Sequence, residues 1–155
     1  MSLVVDASVF LAAARSDDEN YAASRSFLRN AQSAGMMCPS LILPECAAVV
    51  AAQTGDEKLA GDLATIIEGF PGVQIVPLDQ NMARRAAKMA SDHRLRASDA
   101  VYAALAESFK AVLITWDTEM LQRCLAAVRT MEPSRWLEDT GERSGMTGLG
   151  VPVNR

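Results

Sequence analysis

The chain has 155 residues, half of them hydrophobic, and a formal net charge of −4. That length fits one domain around one core, and no stretch reaches the roughly 18 apolar residues that span a bilayer. The negative charge excludes a protein that grips nucleic acid through bulk positive charge, but not an enzyme that reaches phosphates through cations held by its own carboxylates.

Leu3 to Asp6 read as a short buried strand, and Asp-Ala-Ser then opens a helix carrying Val9, Phe10 and Leu11. A second helix is expected over Glu19–Ala34, stopped by Gly35, with a strand at Met36–Pro39. Ser40–Thr54 form a nearly all-apolar helix with Pro44 near its first turn, ended by Gly55. Asp56–Glu68 form the next helix, and Val73–Val76 the third strand. Asp79 caps a helix running to about His93, and Ser98 is the expected N-cap of a helix over Asp99–Phe109. Ala111–Thr115 are the most strand-like run. A helix over Glu119–Ala127, a short strand at Val128–Met131 and one helical turn at Ser134–Leu137 complete the series.

Strands alternating with helices imply an α/β fold with a parallel sheet of about four to five strands between helical layers. The expected domain covers residues 1–137. Residues 138–155 carry four glycines and no apolar periodicity, and read as a flexible or extended tail.

Three cysteines without CxxC spacing, Cys38, Cys46 and Cys124, read as buried structural thiols, which suits a reducing cytoplasm. The N-terminus lacks the charged and apolar regions of a secretory leader, so the expected location is cytoplasmic, with no membrane contact.

Four acids stand in apolar company: Asp6 after LVV, Glu45 within SLILPECAAVVAA, Asp99 before AVYAALA and Asp117 after VLITW. A carboxylate moved out of water costs several kcal/mol (about that order) unless paired or coordinated to a cation. Asp6 and Asp117 fall at the carboxyl ends of strands, where ligands gather in open parallel sheets. Glu45 and Asp99 are supplied by helices. An all-oxygen set suits Mg²⁺ or Mn²⁺, and with His93 the sole histidine it suits zinc poorly.

Ser8 and Thr115, each two residues before or after one of these acids, either orient a carboxylate or make local backbone bonds. Judged singly, Asp6 reads as a helix cap and Asp99 as a complement to a helix dipole. Glu45 resists such readings, because Leu41, Ile42, Ala48 and Val49 are its neighbours at helical spacing. Arg94 and Arg96 either lead a substrate phosphate toward the acids or are solvated loop charges. Trp116 reads as a core or dimer contact rather than a base-stacking platform.

The pieces VVDASV, PE within SLILPECAAVV, LRASDAVYAALA and LITWD, in this order, resemble the PIN-domain family of metal-dependent nucleases, which includes the VapC-type toxins of bacterial toxin-antitoxin pairs. The resemblance implies a three-layer α/β/α fold and Mg²⁺ or Mn²⁺ held by Asp6, Glu45, Asp99 and Asp117. It also implies RNA as substrate, a homodimer and a small antitoxin partner that covers the site.

The expected activity is therefore metal-dependent RNA hydrolysis, with a non-toxin RNA-processing nuclease or a non-catalytic interaction module as alternatives. Phosphoryl transfer through an aspartyl phosphate at Asp6 fits less well, because Ser8 stands where that chemistry places a second acid and Lys110 precedes the strand leading to Asp117.

Overall fold

The computed structural model describes residues 2–146, and these form five strands and eight α-helices. The strands are β1 (Leu3–Val5), β2 (Met36–Pro39), β3 (Val73–Val76), β4 (Val112–Ile114) and β5 (Thr130–Met131). They pair in the order β3-β2-β1-β4-β5, and every pairing is parallel. Val4 stands opposite Met37 on one side and Leu113 on the other, so β1 is the central strand. Its three residues are fully buried, as an apolar strand covered on both faces should be.

The helices are α1 (Ala7–Ala13), α2 (Tyr21–Asn30), α3 (Ile42–Thr54), α4 (Glu57–Glu68), α5 (Gln80–His93), α6 (Ala97–Phe109), α7 (Thr118–Arg123) and α8 (Pro133–Met146). They cover both faces of the sheet in a three-layer α/β/α sandwich. Helix α6 packs directly on β1, β2 and β4, with α5 against it. Its residues Asp99–Ala106 are all buried, and four alanines among them let the helix lie close to the strands. The apolar helix α3 behaves differently, because only Ile42 and Cys46 are fully buried in it.

Local chemistry sets most boundaries. Asp56 and Asp79 accept the amides of Leu59 and Met82 at 2.9 and 2.8 Å, capping α4 and α5. Gly55 ends α3 in the left-handed conformation at φ 68°. The helix expected over Glu19–Ala34 is α2 followed by a 3-10 turn at Ala31–Ala34.

Several boundaries shift by one or two residues from the sequence reading: α3 starts at Ile42 rather than Ser40, β5 covers only Thr130–Met131, and the helix expected over Glu119–Ala127 is α7 followed by a 3-10 turn at Cys124–Ala126. Ser98 is not the cap of α6: the helix starts at Ala97 after an extended Arg96, whose side chain makes no capping bond. The single turn expected at Ser134–Leu137 continues as α8 to Met146. Trp136 meets Phe27 edge-on at 5.2 Å between ring centroids, and Arg135 pairs with Asp139 at 3.0 Å one turn on. These contacts stabilise the helix. Residues 147–155 of the expected tail lie outside the described residues. No helix among the described residues is long and apolar enough to cross a membrane.

Gly72 sets the entry to β3. Its φ is 81°, and a Cβ there would lie 2.5 Å from the Gln32 carbonyl oxygen. Gly72→Ala should cost about 3 kcal/mol of stability, combining left-handed strain with backbone overlap, as read by denaturant unfolding.

Candidate active site

The order of the sheet reverses at β1: the chain moves outward through β2 and β3, then returns to β4 on the other side. The carboxyl ends of β1 and β4 therefore frame the switch point where open α/β sheets bind ligands. Asp6 leaves β1 there, with its amide bonded to the Ile114 carbonyl at 3.0 Å. Its carboxylate accepts the Thr115 hydroxyl at 2.9 Å and the Ser8 amide at 3.3 Å, capping α1. Asp6 is only 6% exposed, and among the described residues no basic side chain pairs with it. Burial pushes its carboxyl above the ordinary range, and the bonds from Ser8 and Thr115 only partly oppose this.

Thr115 and Ser8 tie the two strand ends together. The Asp117 amide donates to Thr115 Oγ1 at 3.0 Å, and the Trp116 amide donates to Ser8 Oγ at 3.0 Å. The two hydroxyl oxygens are 3.4 Å apart. The Thr115 hydroxyl thus bonds an acid and also accepts a local backbone amide, whereas the Ser8 hydroxyl meets Thr115 and the distant Trp116 amide and reaches no acid directly. Asp117 caps α7 through Oδ1, which accepts the Glu119 and Met120 amides at 2.8 and 3.2 Å. Trp116 is half-buried and donates its indole N–H to Ser24 at 2.8 Å, a packing role rather than an open stacking face.

Glu45 enters from the first turn of α3 and accepts the Tyr102 hydroxyl at 2.7 Å. Burial, followed by repulsion from Asp6 and Asp99, pushes its carboxyl up against the lowering effect of that bond. Tyr102 was missed in the sequence, where it reads as part of an apolar helix. Its spacing of three residues from Asp99, which puts both on one face of α6, is the signal that could have marked it.

Asp99, 4% exposed, lies in the first turn of α6. Arg96 bridges it to Asp117, with Nε 2.9 Å from Asp99 Oδ2 and Nη2 2.8 Å from Asp117 Oδ2. All four acids, Ser8 and Arg96 line one cleft of about 270 Å³. Thr115 lies behind it, bonded to Asp6, and Arg94 ends α5 on the surface in a left-handed conformation.

The donor chemistry fits a hard divalent cation. Asp6 and Glu45 are carboxylates raised by burial and lack a cationic partner, and the cleft holds no histidine. The nearby thiols are poor competitors: burial pushes Cys46 up to about 12 and Cys124 up to about 11, so both stay protonated near neutral pH. All three cysteines are free and buried. Among the described residues no three acids converge tightly enough, as they stand, to enclose an ion. The guanidinium of Arg96 stands between Asp99 and Asp117.

An acid-lined cleft at the switch point of a parallel three-layer sheet marks an α/β protein with a ligand site at its strand ends, and similarity to known proteins narrows the class. The PIN domain model matches residues 3–124, and the chain belongs to the PIN domain family. Its fold is similar to that of VapBC2 from Rickettsia felis bound to a promoter DNA fragment, with TM-score 0.66, 11% identity and coverage of 85% of this chain and 98% of that one. VapC20 from Mycobacterium tuberculosis, described as a sarcin-ricin loop cleaving toxin, gives TM-score 0.66 at 16% identity, covering 76% of this chain and 92% of that one. PAE2754 from Pyrobaculum aerophilum gives 0.64 at 21% identity, covering 92% and 99%. None of the curated proteins compared by sequence matches the chain.

The raised carboxyls set a direction for stability. Between the ordinary range and the folded value the native state holds protons that the unfolded chain releases, so this contribution is full at acid pH and is lost as pH rises. Asp6→Asn, which keeps the cap and the bond from Thr115, should raise metal-free stability near pH 7 by at least about 1 kcal/mol, with the gain shrinking toward pH 4. Chemical denaturation in chelator across that pH range reads the difference.

Proposed function

We propose that this PIN domain is a metal-dependent endoribonuclease, in which Asp6, Glu45, Asp99 and Asp117 hold Mg²⁺ or Mn²⁺ and act on an RNA phosphodiester. The observation that carries the reading is the meeting of four carboxylates, from two strand ends and two helices, in one cleft at the sheet's switch point. When bound, the ion supplies Lewis-acid polarisation of a phosphoryl oxygen and a lowered pKa for water.

The chain's own groups do the remaining work. Thr115 fixes one Asp6 oxygen through its hydroxyl, and Tyr102 fixes Glu45, so neither carboxylate has to be ordered at the moment of binding. Ser8 holds the Trp116 amide and keeps the turn after β4 against the start of α1. Arg96 at the cleft and Arg94 on the adjoining surface offer cations to backbone phosphates on a protein whose net charge is otherwise negative.

Fold similarity to toxin-antitoxin proteins supports a toxin role with a small antitoxin as partner; a homodimer as the working form and the cytoplasm as its place belong to the same proposal and rest on the family resemblance. The description of VapC20 as a toxin that cleaves the sarcin-ricin loop supports RNA as the substrate class.

Recombinant chain should cleave cellular RNA in Mg²⁺ or Mn²⁺ and fall silent in chelator. Asp99→Asn should lower cleavage at least about a hundredfold while circular dichroism stays unchanged. Undiminished cleavage by a folded Asp99→Asn would remove that residue from the chemistry. The toxin assignment is tested separately: expression should arrest growth, and co-expression of a small protein encoded beside it should relieve the arrest.

A further inference from the structure

Arg96 occupies a position that the nuclease reading does not by itself explain. Its guanidinium holds Asp99 Oδ2 at 2.9 Å and Asp117 Oδ2 at 2.8 Å, joining the start of α6 to the turn after β4 across 21 residues of sequence. Of the four acids in the cleft these two have a cation, whereas among the described residues Asp6 and Glu45 have only uncharged partners, two hydroxyls and the Ser8 amide. We propose that Arg96 is the resident counter-cation of the metal site: it neutralises Asp99 and Asp117 in the metal-free protein and is displaced when a divalent cation binds. This rests on the metal-nuclease reading above.

Three features support displacement rather than a permanent structural bridge. The Asp99 side chain is 5% exposed but that of Arg96 is 53% exposed, so the guanidinium can swing into water without opening a hole in the core. An outward partner already stands nearby: Glu119 Oε2 is 3.8 Å from the same Nη2 and is more than half exposed. Arg123 approaches Glu119 at 3.9 Å from the following turn of α7, which keeps that carboxylate at the rim. The backbone imposes no restraint on the swing, because Arg96 has ordinary extended dihedrals and its side chain caps nothing.

The electrostatics favour exchange. A divalent ion among four carboxylates attracts all of them, whereas the guanidinium reaches two, and the two cations repel one another at cleft distances. Metal binding therefore frees Arg96 at the mouth of the cleft, where a cation can meet an RNA phosphate. One residue would then suppress loose metal capture and supply a phosphate contact once metal is present.

Calorimetric titration of the full chain with Mn²⁺, comparing wild type, Arg96→Lys and Arg96→Met, tests this directly. Removing two half-exposed ion pairs should tighten Mn²⁺ binding about tenfold in Arg96→Met, with Arg96→Lys between the two. Equal or weaker binding by Arg96→Met overturns the proposal and leaves the metal site standing. Absence of Mn²⁺ binding in all three overturns the metal site and the proposal together. A second readout needs no variant to fold: in wild type the Arg96 Nε–H resonance should move toward the position of a free arginine and exchange faster with water as Mg²⁺ is added. A resonance unchanged at saturating Mg²⁺ also overturns it.

Discussion

The structure turns on a buried carboxylate at the end of its central strand. Asp6 closes β1, caps α1 and takes the hydroxyl of Thr115 from the neighbouring strand end. A sheet whose order reverses at β1 leaves a gap between the first crossover and β4, and helix dipoles and loop amides collect there. The same geometry that makes the gap removes water from Asp6, so the position that organises the fold also carries a carboxylate that burial disfavours in its charged form.

The charge arrangement around the cleft is only half resolved by the protein itself. Arg96 satisfies Asp99 and Asp117, while Tyr102 and Thr115 give Glu45 and Asp6 hydrogen bonds without charge. A hydrogen bond lowers the cost of a buried carboxylate but does not cancel it. In the proposed reading, the stability given up at Asp6 and Glu45 would be returned as affinity for a hard cation. Two acids held by a hydroxyl each and two by one guanidinium keep the four carboxylates ordered before any ligand arrives.

Much of the fold was legible because punctuation and periodicity agreed. Met36–Pro39 follows the positive-φ Gly35, and Val73–Val76 follows the turn at Gly72; both strands have the bounds expected of them. The acids were legible for a different reason, since each stands in apolar company and Glu45 has neither a cap nor a charged neighbour at helical spacing to explain it. Their common cleft could be expected only from topology and family resemblance, and the structure brings them together there. What escaped was tertiary. Arg96 reads equally as a solvated charge until Asp117, 21 residues on, is folded against it. Tyr102 is hidden in an alanine-rich helix, and the length of α8 depends on Trp136 meeting Phe27 and on Arg135 meeting Asp139. Ser98 had the chemistry of a cap, but α6 begins before it at Ala97.

The most direct measurement of a cation site built on Asp6 is thermal unfolding of the purified chain at neutral pH, with and without millimolar Mn²⁺. Binding to the native state alone must raise the unfolding temperature. The wild-type midpoint should rise by several degrees (about the shift expected for a few kcal/mol in a domain of this size) and Asp6→Asn should lose most of that rise. A midpoint indifferent to Mn²⁺, or an equal rise in Asp6→Asn, would contradict a metal site organised by this carboxylate.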